Sequence, residues 1–244
     1  MERVLFTLTC LAFAVAVLMG ADSQVKQLQK ATNVVNEIMQ TPDKSIPSDL
    51  LDKAVCVGVV PSELKFALGV GGSYGRGILV CRKGGNGAWG APSMFTLGGG
   101  SIGFQLGGQA TDVVFIVMNP SGIQKLVQDS VKLGAEMSAA AGPVGRSAEG
   151  ATDVQLHAEI LSYSRSRGLF AGVSLSGAVL KQDKDDNEKL YGRRVTAREI
   201  LIDGAVSSPV DARELDRTLA KCSPRGSQPF KQASLAKAGK TSGS

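Results

Sequence analysis

The sequence predicts an α+β domain: a mainly antiparallel, glycine-rich sheet, curved or barrel-like, with a few packed helices. Three observations predict it. Short apolar or alternating runs follow one another between residues 54 and 117, broken by glycine and proline, which is the pattern of strands and turns. Of the 30 glycines, 15 fall between Gly69 and Gly108, many of them inside those runs. Glycine within a strand permits the bulges and close backbone approach that a curved sheet needs. Helical periodicity, in contrast, appears in only a few segments. The 244 residues, 43% hydrophobic and 20% charged, suffice for one sizeable core.

Residues 1–21 are set apart from the fold. A short charged start (Arg3) precedes an apolar run from Val4 to Gly20, which reads as a secretory signal peptide cleaved near Gly20-Ala21. The alternative is an uncleaved anchor, since these 17 apolar residues sit at the lower edge of a bilayer span. Residues 22–222 form the expected domain. Its first element is an amphipathic helix over Gln24–Gln40, with Val25, Leu28, Ala31, Thr32, Val35, Ile38 and Met39 on one face and Lys26, Lys30, Asn33 and Glu37 on the other. A short helix near Ser48–Ala54 follows.

The runs AVCVGVVP, LKFALGVG, RGILVCRK and PSMFTLGG then read as short strands, and TDVVFIVM as a continuous apolar one. Asn119-Pro120 is a helix start, a cap followed by a first-turn proline. Ile123, Leu126, Val127 and Val131 give that helix its core face, and Gly134 its end. The small-residue stretch GAEMSAAAGPVG is expected to be irregular. DVQLHAEILSYS and LFAGVSLSGAVL alternate and read as an antiparallel hairpin. A last helix begins at Ser208-Pro209 with Ser208 and Asp211 as a capping box, turning Leu215 and Leu219 inward. Residues 223–244 are a disordered basic tail.

The formal net charge of +5 is concentrated in that tail, which holds Arg225, Lys231, Lys237 and Lys240 and no acid. The body is one charge from neutral, which speaks against a broad nucleic-acid surface. Cys56 and Cys81 lie in apolar strand-like runs and read as buried small hydrophobes, with a disulfide as the alternative.

Catalytic motifs fail on context. Gly98, Gly100 and Gly103 spell G-x-G-x-x-G, but the chain runs on into a strand where a dinucleotide loop must open a helix. Ser73 occupies the nucleophile place of G-x-S-x-G, again without a following helix. His157, the only histidine, is read as a surface residue on a strand. Asp183, Asp185 and Asn187 resemble half a calcium loop, but Glu188 stands where the turn glycine belongs and Arg194 where the bidentate glutamate does. No catalytic residue, cofactor or metal ligand is assigned.

The segments KAVCVGVVP, GVGGSYGRGILVCR, WGAPSMFTLGGGSIGFQLGGQATDVVFIVMN and GLFAGVSLSGAVLKQDKDDNEKLYG occur in this order. Together they resemble the SYLF domain family, also called the Ysc84-type lipid- and actin-binding family, over roughly residues 25–206. The resemblance implies an α+β domain without catalysis, phosphoinositide binding in eukaryotic members and actin binding in fungal ones. Bacterial members that the chain resembles carry an export signal. The chain is therefore expected to be a non-enzymatic phospholipid-binding domain of the cell envelope, periplasmic or peripheral to it. Its partner would be an anionic phospholipid or membrane surface, with no nucleic acid, and actin is not the expected partner of an exported chain. The competing reading is a structural or protein-interaction module with an envelope protein partner. Lys26, Lys30, Arg225, Lys231, Lys237 and Lys240 are the candidate lipid contacts, each cation gaining about 1 kcal/mol near an anionic bilayer.

Overall fold

The computed structural model describes residues 23–40, 45–68, 70–102, 107–145, 157–166 and 169–223. The expected signal segment, and all of the expected tail except Ser223, lie outside them. The fold is α+β, with helices packed on both faces of one curled, nine-stranded, mostly antiparallel sheet.

Helix α1 (residues 23–39) has the predicted amphipathicity, and its apolar face is core. Leu28, Ala31, Val34, Val35 and Ile38 are all buried, each large side chain contributing about 1.5–3 kcal/mol by leaving water. Lys26 and Lys30 stay on the exposed side. Helix α2 (Ser48–Lys53) buries Leu51.

Four long strands form the centre: β1 (Cys56–Leu68), β2 (Val70–Cys81), β3 (Ser93–Ile102) and β4 (Gly107–Val117). The first two join what the sequence suggested were separate short strands. β1 and β2 pair as a hairpin, and β3 and β4 flank it on either side. Helix α3 (Pro120–Leu126) is capped by Asn119, whose side chain accepts from Gly122 N–H, with Pro120 in the first turn as expected. It stops at Leu126, earlier than expected. Val131 lies instead in strand β5 (Ser130–Lys132), and Gly134 takes φ +83° in the turn beyond it.

The expected irregular stretch contains strand β6 (Ala139–Ala141), parallel to β7 (Ile160–Ser166). Of the expected strand over DVQLHAEILSYS, residues 153–156 lie outside the described residues and His157 precedes the strand. The hairpin itself is present: β7 pairs with β8 (Leu169–Gly172). Its second arm is shorter than expected, because residues 179–182 form a separate strand, β9, on β3 at the other side of the sheet. Three helices close the chain: α4 (Lys184–Tyr191), α5 (Ala197–Leu201) and α6 (Arg213–Cys222). The capping box belongs to α5, where Thr196 and Glu199 bond reciprocally. Ser208 donates to Asp216 instead of closing a box with Asp211. Leu215 and Leu219 on α6 are buried, as predicted.

The strand order is β5-β9-β3-β2-β1-β4-β7-β6, with β8 sharing the outer edge of β7. One core layer lies under α1, α2 and α6 and contains Val57, Val59, Ile78, Val80, Val114 and Ile116. The other lies under α3 and α5 and contains Val60, Leu79, Phe95, Leu97, Val113 and Phe115. Cys56 and Cys81, opposed in the hairpin, are buried there and joined by a disulfide. The reading of two free buried thiols is thereby replaced. Opposed positions on neighbouring strands bring two Cβ atoms close enough to bridge, which the local sequence around each cysteine does not reveal.

Candidate functional site

Among the described residues, strand alternation is interrupted in β1. Between Val60 and Glu63 the pairing to β4 shifts by one residue, and Ser62 takes φ +55° while its N–H donates to Asp112 Oδ1 at 2.9 Å. An extra residue in one strand reverses which side every later residue faces. Beyond the bulge, Leu64 therefore shares the side of Val57 and Val59, the side that α1 covers nearer the body.

Across the sheet, one register row on that side reads Ala110, Leu64, Tyr74, Gly98, Val179, Lys132. Leu64, Tyr74 and Val179 are 58%, 50% and 38% exposed. Such large apolar side chains normally sit inside, and three in a line make a surface feature. The next row toward the body is polar: Asp112, Arg76, Thr96 and Lys181. Here α1 is pinned along the charged row at both ends. Gln24 donates to Asp186 Oδ1 at 2.9 Å, Gln27 donates to the Arg76 carbonyl, and Arg76 pairs with Asp186. At the other end Glu37 pairs with Arg165, which stands opposite Asp112.

Beside Tyr74 is an open concavity of about 740 Å³, lined by Thr96, Asp129, Lys181, Gln182, Asp183, Lys184 and Asp185. Its lining carries two lysines and three aspartates. Lys184 Nζ is 2.6 Å from Asp129 Oδ1 and, by hydrogen bond and charge, holds that carboxyl below its ordinary range. Asp183 caps α4 by accepting from Asp186 N–H, and burial pushes its carboxyl up. The Asp183, Asp185, Asn187 spacing is thus a helix start, with Asn187 turned inward to accept from Met94 N–H at 2.7 Å. Among the described residues no group of three or more His, Cys, Asp and Glu could hold a metal ion, and no helix is long and apolar enough to cross a membrane.

Among the other motif residues, the glycine and serine motifs lie in strands as their contexts suggested, whereas His157 precedes the strand expected to hold it. Gly98 and Gly100 lie within β3 and Ser73 within β2, neither at a strand-to-helix turn, and Gly103 lies outside the described residues. His157 is exposed. Of the candidate lipid contacts, Lys26 and Lys30 project from the outer side of α1, while Arg225, Lys231, Lys237 and Lys240 lie outside the described residues. Sequence reasoning missed Leu64, Tyr74 and Val179. The signal was present in SELKFAL, where charged and apolar residues alternate, but alternation alone does not say whether the apolar side is covered.

The described residues thus form a curled α+β sheet with packed helices and an exposed row of Leu64, Tyr74 and Val179. The family of the chain is then given by comparison. Residues 98–222 match the family model described as Ysc84, Las17-binding protein actin regulator. The chain is 40% identical over 177 residues to the SH3 domain-containing protein PJ696.02 of Schizosaccharomyces pombe, covering 71% of this chain and 40% of that protein. It is 33% identical over 200 residues to the SH3 domain-containing YSC84-like protein 1 of Bos taurus, covering 81% and 58%. It is 35% identical over 180 residues to LAS seventeen-binding protein 3 of Saccharomyces cerevisiae, covering 72% and 39%. The chain belongs to the Ysc84, or SYLF, family. It spans between 39% and 58% of the length of these relatives. One of these relatives is named as a binding protein, and the family description is that of an actin regulator.

Proposed function

We propose that the chain is a non-enzymatic phospholipid-binding domain, exported to the cell envelope. The observation that carries this reading is the row of Leu64, Tyr74 and Val179, exposed along one register line, with Lys132 at its end and Arg76, Lys181 and Asp112 in the next row. Apolar side chains flanked by cations suit an anionic bilayer, which accepts the first by burial and the second by charge. Two further features support the reading. The Cys56–Cys81 disulfide suits an oxidising compartment. The acid-free tail adds four cations to a nearly neutral body.

Flotation of the full chain with vesicles tests it. Binding to phosphatidylglycerol vesicles, and little to phosphatidylcholine ones, is expected. Removing residues 224–244 should weaken the binding, and the part lost should be salt-sensitive. No binding to anionic vesicles at low salt would refute the lipid reading. The Las17-binding description of the family would then favour a protein partner.

A further inference from the structure

We infer that the C-terminal half of α6 is a second membrane contact, a row of cations that lies against the headgroups of an anionic bilayer. The inference rests on the lipid reading and gives it a surface besides the Leu64 row. Arg213, Arg217 and Lys221 recur every four residues along α6, and all three are exposed. Residues four apart stack on one side of a helix, so these cations form one line of roughly 12 Å. Leu215 and Leu219 face the opposite way, into the core. None of the three cations makes an ion pair or side-chain hydrogen bond among the described residues. Several other exposed cations have partners: Lys184 pairs with Asp129, Arg194 with Glu188, and Arg198 donates to Gln124.

The carboxylates of this surface stand toward the start of the helix. Asp211 and Glu214 are exposed there, where the positive pole of the helix favours them. Asp216 is turned to the flank. Burial pushes its carboxyl up, against the Ser208 hydroxyl, which donates to it at 2.8 Å, and the Lys83 charge. Helix α2 meets the end of α6 at Ser223 and adds Asp49 and Asp52 against Lys53; Asp52 accepts from the Ser223 hydroxyl at 2.8 Å. From Arg217 to the end of the sequence there are six cations and no acid. Arg213 thus has carboxylates for neighbours, and the contact falls to Arg217 and Lys221.

The fold fixes where the row points. Helix α6 packs with α1 and α2 on the side of the sheet that carries Leu64, Tyr74 and Val179. Its end is clamped, because Arg82 donates to the Ser223 carbonyl at 3.2 Å. Residues 224–244, with Arg225, Lys231, Lys237 and Lys240, continue directly from that clamp. The face itself is convex, since side chains radiate from a helix, and it offers no groove in which a peptide could be read. A charged plane asks only that the cations share one side. The occupant is therefore an anionic bilayer surface, whose attraction for basic side chains acts within a Debye length.

The test uses the full chain and phosphatidylglycerol/phosphatidylcholine vesicles at low salt. Arg217→Glu with Lys221→Glu should weaken binding about tenfold or more. Arg194→Glu with Arg198→Glu makes the same change in net charge at α5, which covers the opposite core layer, and should weaken it less than about threefold. All four side chains are exposed, so the melting temperatures should hold. Ala220→Trp, on the exposed side of α6 beside Lys221, should add an emission band that shifts to the blue on vesicle addition and is quenched by brominated lipid. Trp89 is buried and supplies a constant background. If the Arg217/Lys221 variant loses its fold, the Ala220→Trp spectrum alone decides. Wild-type binding combined with equal losses in the two double variants, with a folded Arg217/Lys221 variant that binds like wild type, or with an unshifted Ala220→Trp spectrum would overturn the assignment to α6 while the lipid reading stands. No wild-type binding at all would remove both.

Discussion

Arg82 lies over the indole of Trp89, its guanidinium carbon 4.2 Å from the ring centroid. The guanidinium is almost wholly buried. Its Nε donates to the Ala54 carbonyl at 3.1 Å, one terminal nitrogen to the Gly87 carbonyl at 3.1 Å, and the other to the Ser223 carbonyl at 3.2 Å and to the Ser223 hydroxyl. One cation thus ties the end of α2, the 83–89 turn and the last residue of α6's cap. Arg82→Leu leaves those acceptors buried without a donor, and should cost about 3 kcal/mol or more. Urea denaturation followed by Trp89 fluorescence measures this. A loss below about 1 kcal/mol would show that the contacts are incidental.

The Cys56–Cys81 bridge closes a loop across 25 positions of sequence. Cys56→Ala with Cys81→Ala should lower stability by about 2–4 kcal/mol. The urea m-value should rise as the unfolded chain gains freedom. Unchanged midpoint and slope would mean that the hairpin is already held by its pairing.

Glu159 clasps α3 to the start of β7. Lys125 Nζ lies 2.9 and 2.8 Å from its two oxygens, and Ser138 N–H donates to it at 3.0 Å. Burial, the largest single influence, raises its carboxyl. The bonds from Lys125, Ser138 and Ser121, with the Lys125 charge, outweigh it and hold the carboxyl below the ordinary glutamate value. A depressed folded value means that the stabilisation is present above the unfolded pKa of about 4.3 and is lost as pH falls through the folded one. Glu159→Gln should cost about 1 kcal/mol at neutral pH, limited by the partly exposed lysine. Melting curves of variant and wild type should converge as pH drops below about 4. Parallel curves would remove the clasp.

A Cβ at Gly172 would stand 2.1 Å from the Gly142 carbonyl oxygen. The obstacle is backbone, so nothing can rotate away. Gly172→Ala should destabilise by about 3 kcal/mol or more, or yield insoluble protein. Gly177→Ala, with open space but φ +89°, should cost only about 1 kcal/mol. Equal effects at both positions, read by thermal melts, would refute the close-approach argument.

Much of the frame was legible from residue patterns. The periodicity of α1, the Asn119-Pro120 start of α3 and the apolar run of β4 each act through a local rule, and each element lies where its rule put it. What failed depended on partners distant in sequence. SEL and LKFAL read as a break because Pro61 and Ser62 look like a turn, whereas the fold absorbs them as a bulge against Asp112. VSLSGAVL alternates like one strand, but Gly177 at φ +89° turns the chain so that Val179 and Leu180 join β3. The polar KDDNEKLY carried no apolar stripe, and α4 is secured instead by the buried polar pair Asp186 and Asn187. For the site, sequence offered cations. The exposed row arises only when strands from four parts of the chain come into register.

The nested order of the central strands has a kinetic consequence. β1 and β2 are neighbours in sequence and pair with each other, whereas β3 and β4 must add to the outside of a ribbon that already exists. The β1–β4 pairing brings together residues some fifty positions apart, such as Val59 and Val114. Distant pairings require loop closure before they return any energy, so they form late. The hairpin is then the natural nucleus. Substitutions at Val57 or Ile78 should slow folding in stopped-flow experiments, while Ile116→Val should mainly hasten unfolding.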